Sequence, residues 1–172
     1  VRDEVLSQLL SVGTLAIPTE WALRLLATHT DVQRELRASV DEPGSDLITR
    51  IVREALRLCP STYWMQRRVA HPDVLAGAPV TVDDRVIVHV PSVHRHPEFW
   101  EAPDEFRPER YLANQDWKRA WMPFGRAARL CVAQRYSIDA IASVLADIVR
   151  TSSVEAATPL RSGFGVGLNL VP

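Results

Sequence analysis

"MPFGRAARLCVAQR", residues 122–135, runs from a loop containing Pro and Gly into the start of an amphipathic helix, with a single cysteine, Cys131, at the junction. Whether Cys131 is a small core residue or a metal ligand decides how the rest of the chain is read. A lone Cys between Leu130 and Val132 is, taken alone, a small buried hydrophobe. The helix that follows carries Ile138, Ile141, Leu145 and Ile148 at helical spacing. It therefore places Cys131 near a helix N-terminus, where the dipole favours a thiolate.

Composition bounds what such a thiolate could serve. With 172 residues, 47% of them hydrophobic, and a net charge of -1, the chain can bury one sizeable core, and it has no basic excess of the kind that binds nucleic acid or an anionic membrane. Its other cysteine, Cys59, is far from Cys131, without a CxxC or Cys/His zinc spacing, so neither a disulfide framework nor a structural zinc site is favoured. A reducing cytoplasm fits this usage. The most hydrophobic stretch, Val5 to Ala27, is interrupted by Ser11, Pro18, Glu20 and Arg24, which argues against a transmembrane span. The chain is expected to be a soluble single piece over residues 1–172, and because it opens on Val1 in a helical pattern, its beginning is expected to lie elsewhere.

Working towards the N-terminus, the pattern is helical at both ends of an irregular middle. Val5, Leu6, Leu9, Leu10, Trp21, Leu25 and Leu26 predict a long helix over roughly 2–28, bent at Pro18, which lacks a backbone donor. Asp31 is expected to cap a second helix through Val40, and Ser45 or Asp46 a third that ends before Pro60. From Met65 to Val90 the runs "RRVA", "APVTV" and "RVIVHV" predict a small sheet. Residues 91–130 carry several prolines yet are rich in Phe, Trp and Arg, as an ordered functional loop would be. "GFGVGLNLV" near the end predicts a hairpin or strand, and Leu15, Ile17 and Trp64 either line the site or are core, core being the commoner case. The fold class expected is mainly α with small β-sheets.

One further group bears chemistry. Glu54 and Arg57 in "REALRLCP" stand at i,i+3 on the third helix, and "FRPERYL" presents Arg110 from a Pro-rich loop. An Arg offered to a helical Glu/Arg pair predicts a buried three-member network. A ligand-bearing loop with no helix or sheet of its own needs such rigid support.

"EALR" at 54–57, "HRHPEFW" at 94–100 with "FRPERYL" at 106–112, and "PFGRAARLC" at 123–131 together resemble, in order and separation, the C-terminal half of a cytochrome P-450 of the bacterial soluble type. The resemblance covers the whole chain. It implies a long helix across the distal face of a haem, a Glu-x-x-Arg helix, a small sheet, a meander and cysteine loop, and a proximal helix after Cys131. It further implies haem b held by the Cys131 thiolate, Phe124 packed over the sulfur, and Arg129 on a haem propionate. Arg68, five residues before Asp73, matches the second propionate-binding arginine, with Arg67 as its adjacent rival. His94 falls where the family commonly has a His that does not touch the metal.

The departures from the family pattern concern the same loop and the distal helix. Ala127 and Ala133 stand where the cysteine loop usually has Gly, and a positive φ at 127 would cost on the order of 1 kcal/mol. Counting back from "TEWALRLLA" aligns Thr14 with the oxygen-activating threonine and puts Gly13 where an acid usually stands, while a shifted alignment uses Thr19 and Glu20. The resemblance implies an oxidoreductase that hydroxylates or oxidatively couples an apolar small molecule, such as a natural-product intermediate, with electrons from a ferredoxin and its reductase or a flavodoxin-type donor. Family members are more than twice this long, so an N-terminal half is required in cis or in trans. The second reading is a catalytically silent haem-protein fragment acting as a binding module.

Overall fold

The computed structural model describes residues 2–112 and 116–156. The predicted long helix is α1, Arg2–Thr28, which continues through Pro18. It is followed after one residue by α2, Thr30–Ser39, whose N-cap is His29, so Asp31 sits in the first turn rather than at the cap. There its carboxylate still complements the helix dipole. The third helix, α3, Leu47–Leu58, starts after Asp46. Asp46 makes no cap bond and instead accepts from Arg50 Nε at 2.8 Å, one turn along. Cys59 ends α3 and Pro60 prevents its continuation.

The middle segment forms two separate two-stranded antiparallel sheets where the sequence pattern predicts one. Strand β1, Trp64–Arg68, pairs with β4, Arg85–His89, from Trp64 opposite His89 to Arg68 opposite Arg85. Between them β2, Asp73–Leu75, and β3, Ala78–Val80, form a hairpin of their own. Its turn puts Ala76 and Gly77 at φ of +49° and +82°. Residues 91–130 carry a short helix α4, Val90–Val93, and 3-10 turns at Pro108–Tyr111, Asp116–Arg119 and Ala127–Arg129, as an ordered loop should. The last described helix, α5, is Gln134–Thr151. The expected strand in "GFGVGLNLV" lies outside the described residues.

Helix α3 is the centre of the core: Ile51, Val52 and Leu56 are buried against Leu26 of α1, Leu36 of α2 and Ile141 and Leu145 of α5. Long apolar side chains of this kind each contribute roughly 1.5–3 kcal/mol on burial. Leu15 packs against this core as expected, but Trp64 is 64% exposed on β1, against the expectation that it is core. Gln33 of α2 tethers the chain beyond α5, with its Nε2 donating to Val154 O at 2.9 Å and its Oε1 accepting from Val154 N at 3.0 Å.

Candidate functional site

The arrangement around Cys131 begins with its support. Glu54 is completely buried and accepts at both carboxylate oxygens: Oε1 from Arg57 Nη2 at 2.8 Å, Arg110 Nε at 2.9 Å and the Arg107 N–H at 3.1 Å, and Oε2 from Arg57 Nε at 2.8 Å and the Tyr111 hydroxyl at 3.0 Å. Arg57 is equally buried, and its other donors reach the carbonyls of His94, Pro103 and Glu105 at 2.8, 2.6 and 3.1 Å. All five guanidinium N–H groups are thus used, which is what a buried cation requires. The guanidinium also lies over Trp100, 5.0 Å from the ring centroid. Arg110 adds bonds to the Glu101, Ala102 and Glu105 carbonyls.

The expected Glu54, Arg57 and Arg110 network is therefore present and larger than the sequence pattern indicates. Tyr111 was not foreseen as a member. Burial, reinforced by the Glu54 carboxylate, raises its hydroxyl pKa well above the usual phenol value, so it serves Glu54 as a neutral donor.

His94 carries this order to the cysteine loop. It is fully buried, with Nδ1 2.9 Å from the Arg57 carbonyl and Nε2 2.9 Å from the Met122 N–H. These partners define the tautomer: Nδ1 donates and Nε2 accepts. Burial pushes its pKa down to about 4. Neutral His94 thus clasps the end of α3 to the residue that opens "MPFGRAARLC". It is a packing residue, as its place in the sequence indicates.

Beyond Met122 the loop is shaped by backbone contacts. Gly125 has a φ of +78°, and a Cβ there would stand 2.9 Å from the Arg129 carbonyl oxygen, so only Gly fits. Ala127 has a φ of +50°, the left-handed region anticipated for it, at a cost of about 1–2 kcal/mol. The Cys131 N–H donates to the Phe124 carbonyl at 2.9 Å, and the Gln134 N–H reaches the Cys131 carbonyl at 3.3 Å just before α5. Cys131 is exposed, whereas Cys59 is partly buried and its thiol pKa is pushed up to about 11, mainly by desolvation. A thiolate is therefore disfavoured at Cys59.

Cys131 opens onto a cavity of about 870 Å³. Phe124, Gly125 and Arg129 line it from the cysteine loop, Tyr136 and Ile141 from α5, Thr14, Leu15 and Pro18 from α1, and Met65 and Arg67 from β1. The structure thus brings Thr14, Phe124, Arg129 and Cys131 to one space, and Arg68 is not among its lining residues. Strand residues alternate between faces, so Met65 and Arg67 share the cavity side and Arg68 takes the other. Arg68 is paired with Asp83 at 3.4 Å, both groups being largely exposed. Arg67, the adjacent rival, is the arginine at the cavity wall. Among the described residues no group of three or more His, Cys, Asp or Glu comes together that could hold a metal ion, and Cys131 is the one cysteine among the residues lining the cavity.

The family model for cytochrome P450 matches residues 9–160. The chain belongs to the cytochrome P450 family. Cytochrome P450 137 of Mycobacterium tuberculosis is 32% identical over 157 residues, covering 91% of this chain and 33% of that protein. Cytochrome P450 138 of Mycobacterium bovis is 30% identical over 176 residues, covering 100% of this chain and 40% of its own length. The mouse cytochrome P450 4V2 is 29% identical over 175 residues, with 92% and 33% covered. The chain thus spans about a third of the length of the curated relatives it matches. Members of this family bind haem through a cysteine thiolate. The donor set fits such a group: one exposed sulfur on a backbone-fixed loop, an apolar wall of Leu15, Met65, Phe124 and Ile141, and two arginines suited to carboxylates. No helix among the described residues is long and apolar enough to cross a membrane.

Proposed function

We propose that this chain is the haem-binding part of a cytochrome P450 monooxygenase, in which Cys131 would supply the thiolate for haem iron and α1 would wall part of the same cavity. The observation that carries the reading is one cavity lined both by Cys131 and by Thr14, Leu15 and Pro18 of α1. When bound, haem supplies iron for dioxygen activation, and thiolate ligation favours O–O cleavage.

The chain's own residues do the rest. Cys131 would hold the iron as a thiolate, and its loop is held in place by the Phe124 carbonyl, Gly125 and the His94 clasp. Phe124 contributes apolar wall beside the sulfur and also packs on Trp121, 6.0 Å between ring centroids. Arg129 and Arg67 are placed to hold the haem carboxylates. Thr14 lines the cavity, and its hydroxyl would receive and pass protons there. No acid precedes it, because residue 13 is Gly, and a Cβ at that position would meet nothing within 4 Å. Solvent water then takes the place of that acid in bringing protons to Thr14.

The substrate is an apolar small organic molecule, since the wall contributed by this chain is mostly apolar. A ferredoxin or flavodoxin-type donor supplies electrons, and a segment preceding this chain, in cis or in trans, completes the pocket. The protein acts in the cytoplasm. Reduction under carbon monoxide tests the proposal: a Soret band at the thiolate-ligated position supports it. A protein that takes up no haem, or whose carbon monoxide complex absorbs at the histidine-ligated position, contradicts it.

A further inference from the structure

In an α-helix the N–H of residue i bonds the carbonyl of residue i−4, and proline has no N–H. Pro18 lies inside α1, so the Thr14 carbonyl has no ladder donor at position 18. The Ser61 hydroxyl donates to that same carbonyl at 3.1 Å, across 47 positions of sequence. Ser61 stands in the short connection between α3 and β1, directly after the Cys59-Pro60 end of the Glu-x-x-Arg helix. Thr14 and Ser61 both line the cavity. On the next turn Thr19 Oγ donates back to the Leu15 carbonyl at 2.7 Å, a contact that bends helices locally. The carbonyl that loses its helical donor at Pro18 is therefore met by a side chain from the element whose position the buried Glu54 and Arg57 pair holds.

We propose that Ser61 is a positioning residue that replaces the helical donor missing at Pro18 and so sets where the Thr14 turn stands over the cavity. This role rests on the reading of the cavity as the haem site. An apolar occupant there limits water's access to the carbonyl, so the serine hydroxyl helps hold this turn against the end of α3. The serine hydroxyl keeps that turn attached to the end of α3, which couples the distal wall to the element that braces the cysteine loop.

The test is a mutant cycle on the haem-loaded protein, comprising Ser61→Ala, Ser61→Thr, Pro18→Ala and the Ser61→Ala/Pro18→Ala double variant. Pro18→Ala restores a backbone N–H to the Thr14 carbonyl and should make Ser61 dispensable. The first readout is the infrared stretching band of carbon monoxide on the reduced haem, which senses the distal wall and needs no substrate. Ser61→Ala should shift and broaden it, Ser61→Thr should restore it, and the double variant should match Pro18→Ala. The second readout is equilibrium unfolding, in which Ser61→Ala should lower the folded-to-unfolded ratio roughly fivefold when Pro18 is present and leave it unchanged in the Pro18→Ala background. An equal Ser61→Ala effect in both backgrounds, or an unmoved band in Ser61→Ala, overturns the proposal. Absence of any carbon monoxide band in the wild type overturns the haem reading and the positioning role with it, and a surviving unfolding cycle would then show Ser61 to be structural only.

Discussion

Replacing Glu54 by Ala removes the one acidic group in the buried support of the cysteine loop. The carboxylate receives two bonds from Arg57, one from Arg110, one from the Tyr111 hydroxyl and one from the Arg107 backbone. Arg57 is completely buried and the Arg110 side chain is 10% exposed, so neither cation can turn to water for compensation without moving the loop. Removing one partner of a buried ion pair costs roughly 3–5 kcal/mol. The orphaned Tyr111 hydroxyl and Arg107 N–H add about 1 kcal/mol each if they stay buried, although such losses do not simply add. The sum, on the order of 5 kcal/mol, approaches the whole net stability of an ordinary domain, 5–15 kcal/mol by the usual estimate of roughly 0.05–0.15 kcal/mol per residue. Urea unfolding followed by tryptophan fluorescence suits the assay, because Trp100 lies over Arg57. Glu54→Ala should be unfolded, or nearly so, without denaturant. Glu54→Gln keeps a neutral acceptor and the side-chain volume, and should fall between the two. A midpoint for Glu54→Ala within error of wild type would refute the reasoning, since the buried carboxylate would then carry no stability.

Three other expectations follow from the same geometry. His94 is held neutral in the fold with a pKa of about 4 against an ordinary 6.5, so the unfolded chain binds more protons between those values and stability should fall on acidification from about pH 6.5 to 4, by roughly 2.5 × 1.36, or about 3 kcal/mol; parallel pH profiles for wild type and His94→Gln would show that another group titrates. In the cysteine loop, Ala127→Gly should raise stability by about 0.5–1 kcal/mol, whereas Gly125→Ala, whose Cβ meets the Arg129 carbonyl, should lower it and weaken haem retention; equal signs in thermal melts of the two variants would contradict the loop geometry. Arg67→Ala should speed haem loss to a haem acceptor while Arg68→Ala should not, because Arg67 is the arginine at the cavity; the reverse order would reinstate Arg68.

Much of this was legible in the residues. The periodicity of Leu25, Leu26, Ile141 and Leu145 marked α1 and α5, and the spacing of Glu54, Arg57 and Arg110 marked the buried network, since both are local patterns that tertiary packing left intact. Thr14, Phe124, Arg129 and Cys131 line one cavity because they lie on elements that pack around α3. What the residues left open was decided by non-local pairing. The register of β1 against β4 decides that Arg67 and not Arg68 turns to the cavity, and adjacent arginines give no signal of strand phase. The same pairing leaves Trp64 stacked on His89 at 4.5 Å and exposed, although a tryptophan reads as core. Nothing in the sequence singles out Tyr111, whose hydroxyl meets Glu54 from the 3-10 turn at Pro108–Tyr111. The cap of α2 shifted to His29, whose Nδ1 lies 2.8 Å from the Leu25 carbonyl and whose ring rests on Phe106, contacts invisible in helix-cap statistics.

The central claim, that Cys131 is the thiolate ligand, is tested most directly by the carbon monoxide spectrum of reduced Cys131→Ser beside Cys59→Ser. Cys131 is exposed at the cavity, whereas Cys59 sits at the end of α3 with its thiol pKa pushed up to about 11. The account predicts that the thiolate Soret band disappears in Cys131→Ser and persists unchanged in Cys59→Ser. A thiolate band retained in Cys131→Ser, or lost only in Cys59→Ser, would contradict it.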